Sequence, residues 1–454
     1  MRSIPGDIST DAQPPLRIPL AHFLVGLGFL LVGGGFTLGI ASGSSVEALA
    51  QPVFGRVAAA HLLLVGWVTV TILGAMVQFV PVWSGVPLYS HRLATLQLLF
   101  VGGGVAGFAT GFSLARLDVV VPFALAMFVG FVLFCYNVGR TLLSARPWDV
   151  TEGHFALAVG FFFTAGLLGT TLAIDFVYPI YPPASLPAGL SDAFALSRGS
   201  VLDAHVTLAV LGGVLATVLG ALFQLGPMFT QSQATPLDDR LQQVETVVYP
   251  PGVVVLAAGR LAGSEPIATV GGLGVAVGVA AGFLFLARRL YTATVDYSPM
   301  LPRYGAVAIL GGGWAISAAA SWSVAPIGAS VRLGSQTLGP ILLFGAIGFV
   351  VVGTLYHVIP FLIWVHRYSD RLGYEPVPMV DELYDARLAR FDLAATGLGT
   401  ATLAVGAVLF VPLSTAVGGW LVFLGVLAFG TNMFVTVLRH APDAADPRGW
   451  LAEA

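Results

Sequence analysis

The chain has 454 residues, 57% of them hydrophobic and only 9% charged, with a mean hydropathy of +0.89 and a formal net charge of −3. Soluble globular proteins carry about 25% charged residues, so this composition excludes a water-soluble globule and gives no basic surface for nucleic acid. It describes an all-α integral membrane protein whose first partner is the lipid bilayer.

Apolar runs of about 20 residues suffice to cross a bilayer as helices. Twelve occur, roughly at 19–43, 55–82, 93–115, 119–144, 154–178, 200–229, 246–262, 267–290, 304–325, 334–365, 391–413 and 417–438. The longest gaps, 179–199 and 366–390, hold interfacial loops at most, so residues 1–454 form a single polytopic domain. All twenty basic residues are arginine, and an N-terminus inside the cell places fifteen of them on the cytoplasmic side and five outside. The outer five are Arg56, Arg116, Arg198, Arg260 and Arg332. This asymmetry predicts twelve spans in the cytoplasmic (inner) membrane with both ends cytoplasmic. Ala48-Leu49-Ala50 faintly resembles a signal-peptidase site, but the preceding apolar stretch is long for a signal peptide and is kept as the first helix.

One pattern recurs on the second, sixth and tenth spans. It reads Gly66-x7-Gly74-x3-Gln78-x2-Pro81, then Gly212-x7-Gly220-x3-Gln224-x2-Pro227, then Gly345-x7-Gly353-x3-His357-x2-Pro360. Internal repetition identifies the folding unit, here a four-helix group used three times, over roughly 19–144, 154–290 and 304–438. The expected architecture is twelve transmembrane helices in three pseudo-symmetric arcs of four, with helices two, six and ten at the centre.

Eight histidines are the only abundant candidates for metal or haem ligands. His22, His91, His154 and His440 fall at cytoplasmic ends, where packing or interfacial roles are expected. His61 and His205 lie about a turn and a half inside helices two and six, near the outer surface. An ionisable group there faces the bundle interior or a cavity, and imidazole binds haem iron or copper without adding charge. His61 is five residues before Gly66 and His205 seven before Gly212. Two residues turn a helix by about 200°, so the rings could share one cavity or serve two. Arg56, Arg198 and Arg332 each precede a pattern helix, and guanidinium pairs well with a carboxylate such as a haem propionate. His357 and His366, nine residues apart on the cytoplasmic side, form a weaker metal candidate because they do not share a helix face. The single Cys135 excludes an internal disulfide, c-type haem attachment and a cysteine-ligated iron–sulfur cluster. No glycine loop for nucleotides stands in the right context.

The threefold four-helix plan, with histidine near the outer ends of helices two and six, resembles subunit I of the haem-copper oxidases. Helix two, His61-x4-Gly66-x7-Gly74-x6-Pro81-Val-Trp83-Ser84-Gly85-Val-Pro87, also resembles the helix-two signature of the NnrS family, haem- and copper-containing membrane proteins linked to nitric oxide metabolism. The resemblance implies His61 as a low-spin haem ligand and His205 in a metal-ligand region, with haem (b-type) and copper as cofactors. It also implies a respiratory redox partner or additional membrane subunits. The chain departs from the oxidases where helix seven reads Val247-Val248-Tyr249-Pro250-Pro251 and helix ten Ser335-Gln336-Thr337-Leu338, without the oxidase histidines. A complete haem-copper centre and terminal oxidase activity are therefore not expected. The expectation is a divergent oxidase-like haemoprotein in respiratory electron transfer or in nitric oxide or metal handling. The alternatives are a secondary transporter, usually built from two halves, and a cofactor-free structural or assembly subunit.

Overall fold

A computed structural model describes residues 12–41, 52–181, 196–295, 298–335 and 338–445. Ala48-Leu49-Ala50, Gln336 and Thr337 lie outside the described residues. Among the described residues twelve helices are long and apolar enough to cross a membrane: α1 Arg17–Ala41, α2 Val53–Ser84, α3 His91–Ser113, α4 Leu117–Ser144, α5 Val150–Ile174, α6 Arg198–Thr230, α7 Pro236–Leu261, α8 Glu265–Tyr291, α9 Met300–Val324, α10 Ile341–Arg367, α11 Ala386–Leu409 and α12 Pro412–His440. The described residues contain no β-strand, only an isolated bridge between Leu372 and Glu375. This is the only backbone arrangement besides a closed barrel that satisfies its own polar groups in lipid.

The helix starts are chemically marked. Ser90 caps α3, Ser197 caps α6 and Asp385 caps α11, each accepting from backbone N–H groups of the first turn. Asp149 and Glu152 form a reciprocal capping box at the start of α5. Helix α7 begins ten residues before the expected 246, at Pro236. Thr235 and Asp238 box its start, and Arg288 of α8 binds Asp238 at 3.0 Å. The polar first turns Asp238-Asp239-Arg240 lower the hydropathy there, so the apolar run understates the helix.

Glycine brings neighbouring backbones together. A Cβ on Gly104 would meet the Met127 backbone at 2.7 Å, one on Gly252 the Val275 nitrogen at 2.7 Å, and one on Gly399 the Val422 nitrogen at 2.7 Å. These contacts join α3 to α4, α7 to α8 and α11 to α12. Small residues at helix crossings are the ordinary means of close packing in lipid, where apolar burial gives no preference for helix over lipid.

Three helices depart from α geometry, and they are the pattern helices. A π-helical segment covers His61–Thr69 in α2, Thr207–Val214 in α6 and Ile341–Ile347 in α10. Each contains the first pattern glycine, and each of these glycines faces the preceding helix: Gly66 meets Phe29, Gly212 meets Phe161 and Gly345 meets Leu310. π segments widen the helix and shift hydrogen bonds by one residue. Two displaced carbonyls have found hydroxyl donors: Thr69 donates to Leu64 O at 2.7 Å, and Tyr249 of α7 donates to Leu211 O.

The same three helices surround an apolar cavity of about 70 Å³. Each contributes five residues at identical registers, three and two before its second pattern glycine and one, two and five after it. On α2 these are Thr71, Ile72, Ala75, Met76 and Phe79; α2 adds Trp83, and Phe23 of α1 and Phe155 of α5 complete the wall.

Candidate functional site

His61 opens the π segment of α2, and His205 lies two residues before that of α6. The Nδ1 atom of His61 is 2.8 Å from Val57 O, one turn back, and its ring lies 4.5 Å from that of Phe108 on α3. His205 Nδ1 reaches across to Ala165 O of α5 at 2.8 Å. Its ring rests on Gly169, where a Cβ would come within 2.7 Å of Cε1. A carbonyl can only accept, so each Nδ1 carries its proton and each Nε2 presents a lone pair. Neither Nε2 makes a hydrogen bond among the described residues. Both rings are half-buried and lie within electrostatic reach of one another.

Beside them runs an aromatic wall. Phe108 packs on Phe112 at 4.8 Å between centroids, and Phe112 on Phe54 and Phe176 at 5.6 and 5.3 Å. The Arg198 guanidinium covers Phe176 at 4.1 Å and pairs with Asp175 just beyond α5. Burial alone would raise the Asp175 carboxyl. The Ile180 and Tyr181 N–H groups, at 2.7 and 2.8 Å, and Arg198 outweigh it and hold the group below the usual carboxylate range.

The arginines expected on the outer side are not equivalent. Arg332 binds Asp203, two residues before His205, at 2.6 Å. Arg260, fully buried, donates to Thr207, two residues after His205, at 2.7 Å, and to the carbonyls of Pro326, Val331 and Arg332. It therefore pins the α9–α10 loop onto α6. Arg56 is exposed at the start of α2. Arg198 and Arg332, expected to meet propionates, have carboxylate partners within the chain.

On the opposite side, His357 lies half-buried between Phe229 at 4.6 Å and Phe361 at 5.7 Å, while His366 is exposed and bonds its own helix at Leu362 O. No contact joins them. Among the described residues no three His, Cys, Asp or Glu side chains are grouped to hold a metal ion.

Two histidines expected at the membrane interface are instead core residues. His22 and His154 are completely buried because the second pattern glycines make room for them. A Cβ on Gly220 would lie 2.5 Å from His154 Cβ, and Gly74 meets His22 more closely still. From these positions each ring crosses to the third helix of its group. His22 Nε2 lies 3.3 Å from the Gln97 amide nitrogen, and His154 Nε2 lies 3.0 Å from the Glu245 carboxylate. In the third group Arg303, packed on Gly353, pairs with Asp392. Tyr356 also donates to Asp392. A signal was available: His22-Phe23, His154-Phe155 and Arg303-Tyr304 occupy matching positions on α1, α5 and α9. It lies outside the glycine pattern, on the helix that precedes each pattern helix.

Compared with models of known protein families and with curated proteins, the chain matches none.

Proposed function

We propose that this protein is a divergent, oxidase-like haemoprotein of the cytoplasmic membrane, built as three arcs of four helices and acting in respiratory electron transfer or nitric oxide handling. His61 and His205 are its haem-iron ligands. The observation that carries this reading is the pair itself. Two imidazoles, one at the start of the α2 π segment and one two residues before that of α6, each have Nδ1 committed to a carbonyl and Nε2 open. Orientation of a ligating histidine by a second hydrogen bond is what iron ligation through Nε2 needs. The phenylalanine wall from Phe54 to Phe176 offers an apolar face for a porphyrin ring. Arg198 could serve a propionate only by sharing it with Asp175. When bound, haem supplies reversible one-electron transfer; the chain supplies orientation, an apolar surround and charge at the outer mouth. The three identical registers around the central cavity count against a transporter of two related halves.

The test is the visible spectrum of the purified full-length protein, oxidised and reduced, with iron and copper analysis. His61→Ala and His205→Ala are each expected to abolish or shift the reduced haem bands while the protein stays folded by circular dichroism. A parent without chromophore, or copper without iron, would overturn the haem assignment.

A further inference from the structure

The three interhelical bridges occupy one position in the fold but differ in chemistry. Each joins the first helix of a group to the third, beside the second pattern glycine of the second helix: His22 with Gln97, His154 with Glu245, and Arg303 with Asp392. All six side chains are buried, none more than 1% exposed. His–Gln needs no charge to make its hydrogen bond. In Arg–Asp the guanidinium keeps its proton. Only in His–Glu can both partners carry the proton that bridges them.

We propose that His154 and Glu245 form a proton-binding site in the second four-helix group, independent of any haem. With one proton shared, the pair is neutral overall; without it, a bare carboxylate is left buried away from water, which is costly. The neighbours make the case specific. His154 Nδ1 is held by Val150 O at 2.7 Å, which leaves Nε2 for Glu245. Helix α6 presents Phe223, 5.7 Å from the imidazole, and α8 presents Gly282 beside the Glu245 stem, so neither adds a charge there. Of the two cations on α8, Arg289 lies over Phe285 and bonds Ser232, and Arg288 bonds Asp238. On α5 itself Asp149 and Glu152 stand at the N-terminal end, with Ser84 of α2 donating to Glu152. They place acidic groups at the helix start, within a turn or two of His154. On α7, Thr246 donates to Glu245 at 3.3 Å. Tyr249, one turn further on, donates to Leu211 O in the α6 π segment. A change of charge at Glu245 is therefore one helical turn from a hydrogen bond that supports the helix carrying His205.

The molecule contains its own control. Glu245→Gln converts the second bridge into the His–Gln pair that the first group already packs, so the variant should fold. The experiment is a pH titration of the full-length protein in detergent with ¹⁵N-labelled histidine, comparing parent, Glu245→Gln and His154→Gln. The expected result is one histidine in the parent that stays protonated at a pH where free histidine is neutral. That signal should be missing from His154→Gln, and replaced by a neutral imidazole in Glu245→Gln. Infrared spectra supply the other half: a protonated-carboxyl band in the parent that Glu245→Gln removes also supports the site, with the proton resting on glutamate. A neutral His154 beside an ionised Glu245 throughout the range, with spectra unchanged by Glu245→Gln, would overturn it.

Discussion

At the scale of single residues, the second pattern glycines are where the three groups differ most. Gly220 admits His154 so closely that a methyl group would lie 2.5 Å from its Cβ. Neither atom can rotate away, since both are fixed by backbone. Gly220→Ala should therefore destabilise the protein by about 1–3 kcal/mol, the usual cost of overpacking, read as a lower thermal midpoint in detergent. A smaller effect is expected at Gly28, where an added Cβ meets nothing within 4 Å. Asp392→Ala should cost more, about 3–5 kcal/mol, because it strands the buried Arg303 guanidinium in the core. Indistinguishable midpoints for all three variants would refute the bridge as a packing constraint.

Among the helices, the π segments matter because they set where His61 and His205 point. An α-helix turns about 100° per residue, so a segment with one extra residue per turn re-aims everything beyond it. Deleting Leu64 should let α2 run as a continuous α-helix and swing His61 away from Phe108, now 4.5 Å from it. A structure of the deletion variant checks this; a π segment that re-forms at another position with His61 still on Phe108 would defeat the idea. The wide turns were not legible in the sequence. His61-Leu-Leu-Leu-Val-Gly66 has no residue that forbids the α form, and the donors that stabilise the shifted carbonyls include Tyr249 from another helix. Helix α7 shows the complementary limit: its start was written in capping residues rather than in hydropathy.

For the molecule as a whole, identical registers of α2, α6 and α10 leave a small apolar cavity between them. Voids of this kind forfeit dispersion contacts for the atoms that line them. Ala75→Val and Ala221→Val add methyl groups to cavity-lining positions and should leave stability unchanged or raise it by on the order of 1 kcal/mol. A marked fall in the thermal midpoint of both would mean that the space is not free. The same cavity explains the repeat: the pattern glycines set how closely helices approach, and the five residues around each second glycine face the centre.

From the sequence alone follow the membrane class, twelve helices, and a short pattern on the second, sixth and tenth of them. Hydropathy and glycine spacing are local properties, and lipid forces an apolar segment of that length to be helical. His61 and His205 were also singled out there, as imidazoles too deep to be surface groups. What only the tertiary structure decided is which side chains meet. Whether two histidines offset by two residues face one space depends on π segments that no local residue type demands. That His22 and His154 are buried depends on glycines of another helix, and that Arg332 meets Asp203 depends on a loop 129 residues away in the chain. Partners of buried polar groups are chosen by packing across helices, because in a medium without water each must find whatever donor or acceptor the fold brings near.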